Sequence, residues 1–293
     1  MGQALKHAIA AGLLAAMSVA AGAADGKLQI VSAESMYGDI ARQIGGDAVA
    51  VVSIVENPDQ DPHLFETTPS VGRALATARI VIVNGAGYDP WMEELLAAQP
   101  ASDRKAIVVA DLVNARPGDN PHLWYRPAAI PALAEALVEE LAAADPANAS
   151  AYAARKRAFL DAWKAVEERI AGIREKAAGT AVTASEPVFG YMAEALGLDM
   201  RNERFQLSVM NDTEPSARDI AALEDDLRTG RVKAFIYNRQ VADPLTERLL
   251  GIANRSGVPV VGVTETLPAG KTIQDWMLEQ IDELGRALGA PSS

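Results

Sequence analysis

The chain holds three histidines, His7, His63 and His122, and two of them lie in near copies of one context. His63 belongs to Asp61-Pro62-His63-Leu64-Phe65, and His122 to Asn120-Pro121-His122-Leu123-Trp124. An imidazole just past a proline-rich turn offers a neutral nitrogen donor at a fixed place in a loop, which is what a divalent transition-metal site requires. A solitary loop histidine is more often solvated or hydrogen-bonded, so it is the repeated setting that raises the metal reading. Glu186, in Ser185-Glu186-Pro187, and Glu265, in Thr264-Glu265-Thr266, are the other candidates. Two neutral imidazoles and two carboxylates make a neutral site around a divalent cation, a combination that suits Mn²⁺, Fe²⁺ or Zn²⁺. In a dry cleft the two carboxylates are costly to bury unless a cation accompanies them.

These four residues need elements that bring them together. Apolar runs at 27–33 and 49–55 read as strands, with a helix at 36–45 between them, and the second strand leads into the His63 loop. A helix from about Ser70 to Thr77, a strand at 80–84, a helix at 92–98 and a strand at 106–110 follow, and the chain then reaches the His122 loop. Alternating strands and helices are the pattern of a doubly wound parallel sheet, whose ligands bind outside the carboxyl ends of the strands. The loop Gly85-Ala86-Gly87 lacks the third glycine and the helix start of a dinucleotide fingerprint, and Pro90 interrupts it.

After a helix over 130–144, the span 149–178 runs without proline and with only Gly172 as a glycine. Tyr152, Phe159, Leu160, Trp163, Val166, Ile170 and Ile173 recur in it at helical spacing. About 30 residues at 1.5 Å each give a rod of roughly 45 Å, able to connect two lobes without being a flexible linker. The alternation then restarts, with strands at 181–184, 232–238 and 258–263 and helices at 188–196, 217–227, 245–256 and 273–288. Residues 197–216 show no clear element. Glu186 and Glu265 fall just past strand ends, as His63 and His122 do.

The ends and the composition set the compartment. Met1 to Ala24 has a basic start, an apolar run and small residues at Ala21-Gly22-Ala23, the layout of a cleaved secretory signal. The sequence contains no cysteine, hence neither a disulfide framework nor an acylated cysteine, and the expectation is a periplasmic protein without a lipid anchor. A formal net charge of −12 with no basic cluster argues against nucleic acid and anionic membranes as partners.

The whole mature chain resembles the metal-binding solute-binding proteins of zinc and manganese ABC importers. The resemblance rests on Asn57 through Ser70, Asn84 through Met92, Asn120 through Tyr125, Glu214-Pro215-Ser216, Asn238-Arg239-Gln240 and Val261 through Thr266. It implies an α/β chain of two Rossmann-like lobes, each a mainly parallel sheet flanked by helices, joined by one long rigid helix. The divisions expected are a signal peptide at 1–24, a first metal-binding lobe at 25–146, the linking helix at 147–178 and a second metal-binding lobe at 179–293. It also implies a monomer that holds a divalent ion in the cleft and delivers it to a membrane permease.

Position by position, His63 and His122 match the family's first-lobe ligands, and Glu186 matches a ligand that is His in typical zinc members and Glu in typical manganese members. Glu265 stands where Asp is common. The oxygen-richer set leans toward Mn²⁺ or Fe²⁺ over Zn²⁺. Asp61, Glu66, Asp212 and Glu214 are candidates to orient the imidazoles. The rival reading is a secreted metal-dependent hydrolase in which His63, His122 and Glu186 hold the metal and Glu265 is the general base. Neither a His-Glu-x-x-His helix nor a Gly-x-Ser-x-Gly elbow supports an enzyme.

Overall fold

The computed structural model describes residues 26–59, 62–241 and 243–290, so the leader expected at Met1–Ala24 and the candidate Asp61 lie outside the described residues. The first lobe runs β1 (Leu28–Glu34), α1 (Ser35–Gly45), β2 (Val49–Val55), α2 (Pro69–Thr77), β3 (Ile80–Val83), α3 (Pro90–Ala98), β4 (Lys105–Val108), α4 (Val109–Leu112) and α5 (Ala129–Ala144). The linking helix is α6 (Ala149–Ala177). The second lobe runs β5 (Ala181–Ala184), α7 (Gly190–Ala195), β6 (Asp199–Arg201), α8 (Glu203–Met210), α9 (Ala217–Arg228), β7 (Phe235–Asn238), α10 (Pro244–Arg255), β8 (Val260–Val263) and α11 (Ile273–Ala287).

Each lobe holds a four-stranded parallel sheet, in the orders β2-β1-β3-β4 and β6-β5-β7-β8. Parallel sheets are covered on both faces, which is why β3 is apolar throughout. Ile80 and Ile82 face the large central core, while Val81 and Val83 face a separate outer cluster with Leu75 and Met92. The central core is continuous from the first sheet through α6 to the second.

The α6 rod, 29 residues and so about 43 Å long, buries Tyr152, Phe159, Trp163, Val166, Ile170, Ile173 and Ala177 along one stripe. It is tied at both ends. Arg155 donates to the carbonyls of Ile44 and Gly45 at the end of α1, both at 2.7 Å, satisfying acceptors that a helix terminus leaves open. Arg169 pairs with Asp282 on α11. The last helix and the loop before it also reach the first lobe, because Asp39 of α1 accepts the Ile273 N–H at 2.9 Å and Ser35 accepts that of Leu267 at 2.9 Å. Among the described residues no helix is long and apolar enough to cross a membrane.

Several local expectations differ from the structure, among them the strand expected at 258–263, which begins only at Val260. The apolar run at 106–110 leaves the sheet after Val108, because the Ala110 N–H turns to the carbonyl of Asn84 at 2.9 Å and starts α4. The expected strand at 232–238 is a strand only from Phe235. The unassigned stretch contains β6 and α8, separated by Asn202 in the left-handed region at φ 61°. Asp199-Met200-Arg201 is a three-residue edge strand without an apolar run, so hydrophobic patterning does not reveal it.

Candidate metal centre

The loops after the strands' carboxyl ends face one another across the lobes. Pro62 is buried and opens a single tight turn, Pro62–Leu64, on which the His63 side chain stands 40% exposed. His122 is fully buried. Its loop is held from β3, whose following residue Asn84 donates to the Pro121 carbonyl at 2.8 Å. Glu265 follows β8 and is also fully buried, with its N–H given to Gln240 Oε1 at 2.6 Å.

His63, His122 and Glu265 each turn a ligand atom into one space, with those atoms all within 4.8 Å of one another. His63 Nε2 lies 3.6 Å from Glu265 Oε1, and His122 Nε2 lies 3.4 Å from Oε2. Two ligand bonds of about 2.1 Å meeting at a tetrahedral angle place their outer atoms about 3.4 Å apart, so an ion fits between these groups. Burial alone would push the Glu265 carboxyl up, yet the two imidazoles outweigh it and hold the group well below the usual carboxylate range. Glu265 is therefore an anion at neutral pH, ready to meet a cation.

Both carboxylate oxygens also accept a neutral donor. Tyr88 O–H donates to Oε2 at 2.8 Å and Asn238 Nδ2 to Oε1 at 2.6 Å. Burial first, and then the Glu265 charge, push the Tyr88 phenol well up, which keeps its proton in place. On the far side of His122, Asn120 Oδ1 accepts both the backbone N–H at 3.1 Å and the ring Nδ1–H at 2.6 Å. With Nδ1 bonded to Asn120, Nε2 is the ring nitrogen left to face Glu265 and the space beside it.

Glu186, just past β5, is buried but does not belong to the cluster of three. It is linked to the site through its neighbour, since Asn120 Nδ2 donates to the Pro187 carbonyl at 2.7 Å. Glu66, Asp212 and Glu214 are exposed and are not among the three clustered residues. The orientation of His122 falls to Asn120, which sequence reasoning missed although it stands two residues before the histidine in the quoted motif. Tyr88 and Asn238 were likewise within the motifs but without a role. Nothing in a tyrosine after two glycines signals that it will reach a carboxylate 177 residues away.

A deeper acidic group supports this loop. Asp89 accepts the N–H of Asn84 and of Gly85, both at 2.8 Å, and Tyr37 donates to Asn84 Oδ1 at 2.6 Å. Glu34, fully buried at the end of β1, is pushed well above the usual carboxyl range, first by burial and then by the Asp89 charge.

Comparison with known proteins agrees with the arrangement. Residues 30–287 match the family described as zinc-uptake complex component A, periplasmic. The chain is 30% identical over 181 residues to the manganese-binding lipoprotein MntA of Halalkalibacterium halodurans, a match spanning 59% of each chain. It is 29% identical over 252 residues to the manganese-binding lipoprotein MntA of Bacillus subtilis, covering 80% of this chain and 78% of the relative. The periplasmic zinc binding protein TroA from Treponema pallidum shares the fold at a TM-score of 0.74 and 20% identity, over 90% of this chain and 99% of that one. Relatives are named as substrate-binding proteins of metal ABC transporters, not as enzymes. With its two parallel sheets, its long connecting helix and a match that runs nearly end to end, the chain belongs to the periplasmic zinc-uptake complex component A family of solute-binding proteins.

Proposed function

We propose that this protein captures a divalent transition-metal ion, Mn²⁺ or Zn²⁺ with Fe²⁺ in the same class, in the cleft between its lobes and hands it to an ABC permease. The observation that carries the reading is the convergence of His63, His122 and Glu265 within 4.8 Å, two from the first lobe and one from the second. Both lobes contribute, so the ion is bound only when they are apposed, as a protein that must later release its cargo requires. Glu186, at the neighbouring strand end, is the fourth ligand in this reading and would bring the site to neutrality. The division at 25–146, 147–178 and 179–293 fits the two sheets and the α6 rod. The protein works as a monomer and has no nucleic-acid partner, in keeping with its net charge of −12.

Calorimetric titration and thermal melting of the purified protein with Mn²⁺ and Zn²⁺ test the reading. An ion at about 100 times its dissociation constant stabilises the folded state by about 2.7 kcal/mol. A melting curve unmoved by an excess of either ion rejects the proposal.

A further inference from the structure

The Glu265 carboxylate is pinned from both ends. Its Oε2 accepts the Tyr88 hydroxyl at 2.8 Å and faces His122 Nε2 at 3.4 Å, while its Oε1 accepts Asn238 Nδ2 at 2.6 Å and faces His63 Nε2 at 3.6 Å. A carboxylate oxygen has two lone-pair directions, so on each oxygen one is taken by the neutral donor and the other is left facing an imidazole. Turning the group so that a single oxygen points at an ion would break one of these hydrogen bonds inside a fully buried site.

The Tyr88 hydroxyl is itself held where it is. Its ring stands edge-on to Trp124 at 4.9 Å, to His63 at 5.6 Å and to His122 at 5.9 Å between centroids. The loop that carries it takes three successive left-handed conformations, at Gly85 (φ 74°), Ala86 (φ 55°) and Gly87 (φ 85°). A Cβ on Gly85 would meet Val108 at 2.7 Å, so the backbone lies tight against the sheet there, and Asp89 clamps the start of the loop.

Resting on the reading of the site as a metal-capture centre, we propose that Tyr88, with Asn238 across the carboxylate, is a specificity-determining residue that fixes Glu265 to chelate the cargo through both oxygens. Two oxygens and two imidazole nitrogens already fill four positions before any further ligand arrives. Zinc favours four ligands in a tetrahedron, whereas Mn²⁺ accepts six, mostly oxygen. The pinned carboxylate therefore narrows the advantage that zinc holds in the Irving–Williams order.

The test measures Mn²⁺ and Zn²⁺ affinities by chelator competition on the whole protein, for wild type, Tyr88→Phe and Asn238→Ala. X-ray absorption of the Mn²⁺-loaded forms counts the oxygen neighbours. The expected result is a loss of Mn²⁺ affinity of about tenfold, the scale of one buried hydrogen bond, with Zn²⁺ affinity changed by less than about threefold and one oxygen neighbour lost in the variants. Equal weakening of both ions, or an unchanged ratio with an unchanged oxygen count, overturns the role of Tyr88 while leaving metal capture intact. Wild type binding neither ion overturns both readings. Asn238→Ala acts on the opposite oxygen from the second lobe, so it decides the question by the same ratio if Tyr88→Phe folds poorly.

Discussion

Asn120 Oδ1 takes the ring Nδ1–H of His122 at 2.6 Å and so decides which imidazole nitrogen faces the cleft. The same side chain reaches across to the Pro187 carbonyl at 2.7 Å, joining the loop of His122 to the loop of Glu186. Removing the acceptor frees the ring to rotate and to change tautomer. Asn120→Ala is expected to weaken metal binding about 10- to 100-fold, the usual cost of losing a residue that orients a ligand. Asn120→Asp keeps the acceptor and should retain most of the affinity. Chelator-competition titrations of the two variants side by side check this, and equal loss in both would contradict the orienting role.

The two histidines are expected to separate when the metal-free proteins are compared. His63 is 40% exposed on its turn, whereas His122 is fully buried against Trp124, Tyr88 and Glu265. Replacing either with Ala should lower metal affinity by at least about 100-fold, since each removes a proposed ligand. Only His122→Ala should also destabilise the metal-free fold, because it leaves a cavity and strips a buried carboxylate of a partner. A cost of about 2–3 kcal/mol corresponds to a melting temperature lower by about 4–12 °C, against little change for His63→Ala. Scanning calorimetry in the presence of chelator makes the comparison.

Much of this architecture is legible in the sequence because parallel strands buried on both faces are nearly unbroken apolar runs. Val49–Val55 and Ala181–Ala184 read to the residue, and the apolar stripe of α6 marks the rod that joins the lobes. The edge strand β6 is hidden because one of its faces does not need apolar residues and its length is three residues. At the site, the Pro-His repeat points to His63 and His122, and the strand-end positions point to both glutamates. Which glutamate shares a space with the histidines depends on how two lobes are set against each other, a long-range relation that no local pattern encodes. The same holds for Tyr88 and Asn238, whose roles are defined only by the carboxylate between them.

Glu34 should give the metal-free protein an unusual pH dependence. Its carboxyl is pushed far above the ordinary value of 4.5 in the folded state, by burial first and by Asp89 next. The folded chain therefore holds a proton there that the unfolded chain releases, and stability falls as pH rises from about 4.5 toward the raised folded value. Glu34→Gln removes this titration while keeping a donor toward Asp89. The variant should melt above wild type at pH 8, by about 2–4 °C for each kcal/mol recovered, and the difference should shrink as the pH approaches 5. Thermal melts across that range in chelator check it, and a difference independent of pH would remove Glu34 as its source.

The weight of the two glutamates is the sharpest question the geometry poses. Both lie at strand ends and both are buried, but only Glu265 turns an oxygen to each histidine and belongs to the cluster of three. Its charge is also set in advance, since the imidazoles hold it ionised despite full burial. Losing Glu265 thus removes two oxygens, the one carboxylate of the cluster and the acceptor of Tyr88 and Asn238 together. Glu265→Ala is expected to abolish measurable Mn²⁺ and Zn²⁺ binding, a loss of at least about 1,000-fold. Glu186→Ala removes a group that is linked to the cluster through Pro187 and Asn120, and a loss nearer tenfold to 100-fold is expected, as for a ligand added to a site that already holds the ion. Isothermal titration of both variants decides the order. A larger loss at Glu186 than at Glu265 would mean that the lobes close further around the ion than the distances of 3.4 and 3.6 Å require.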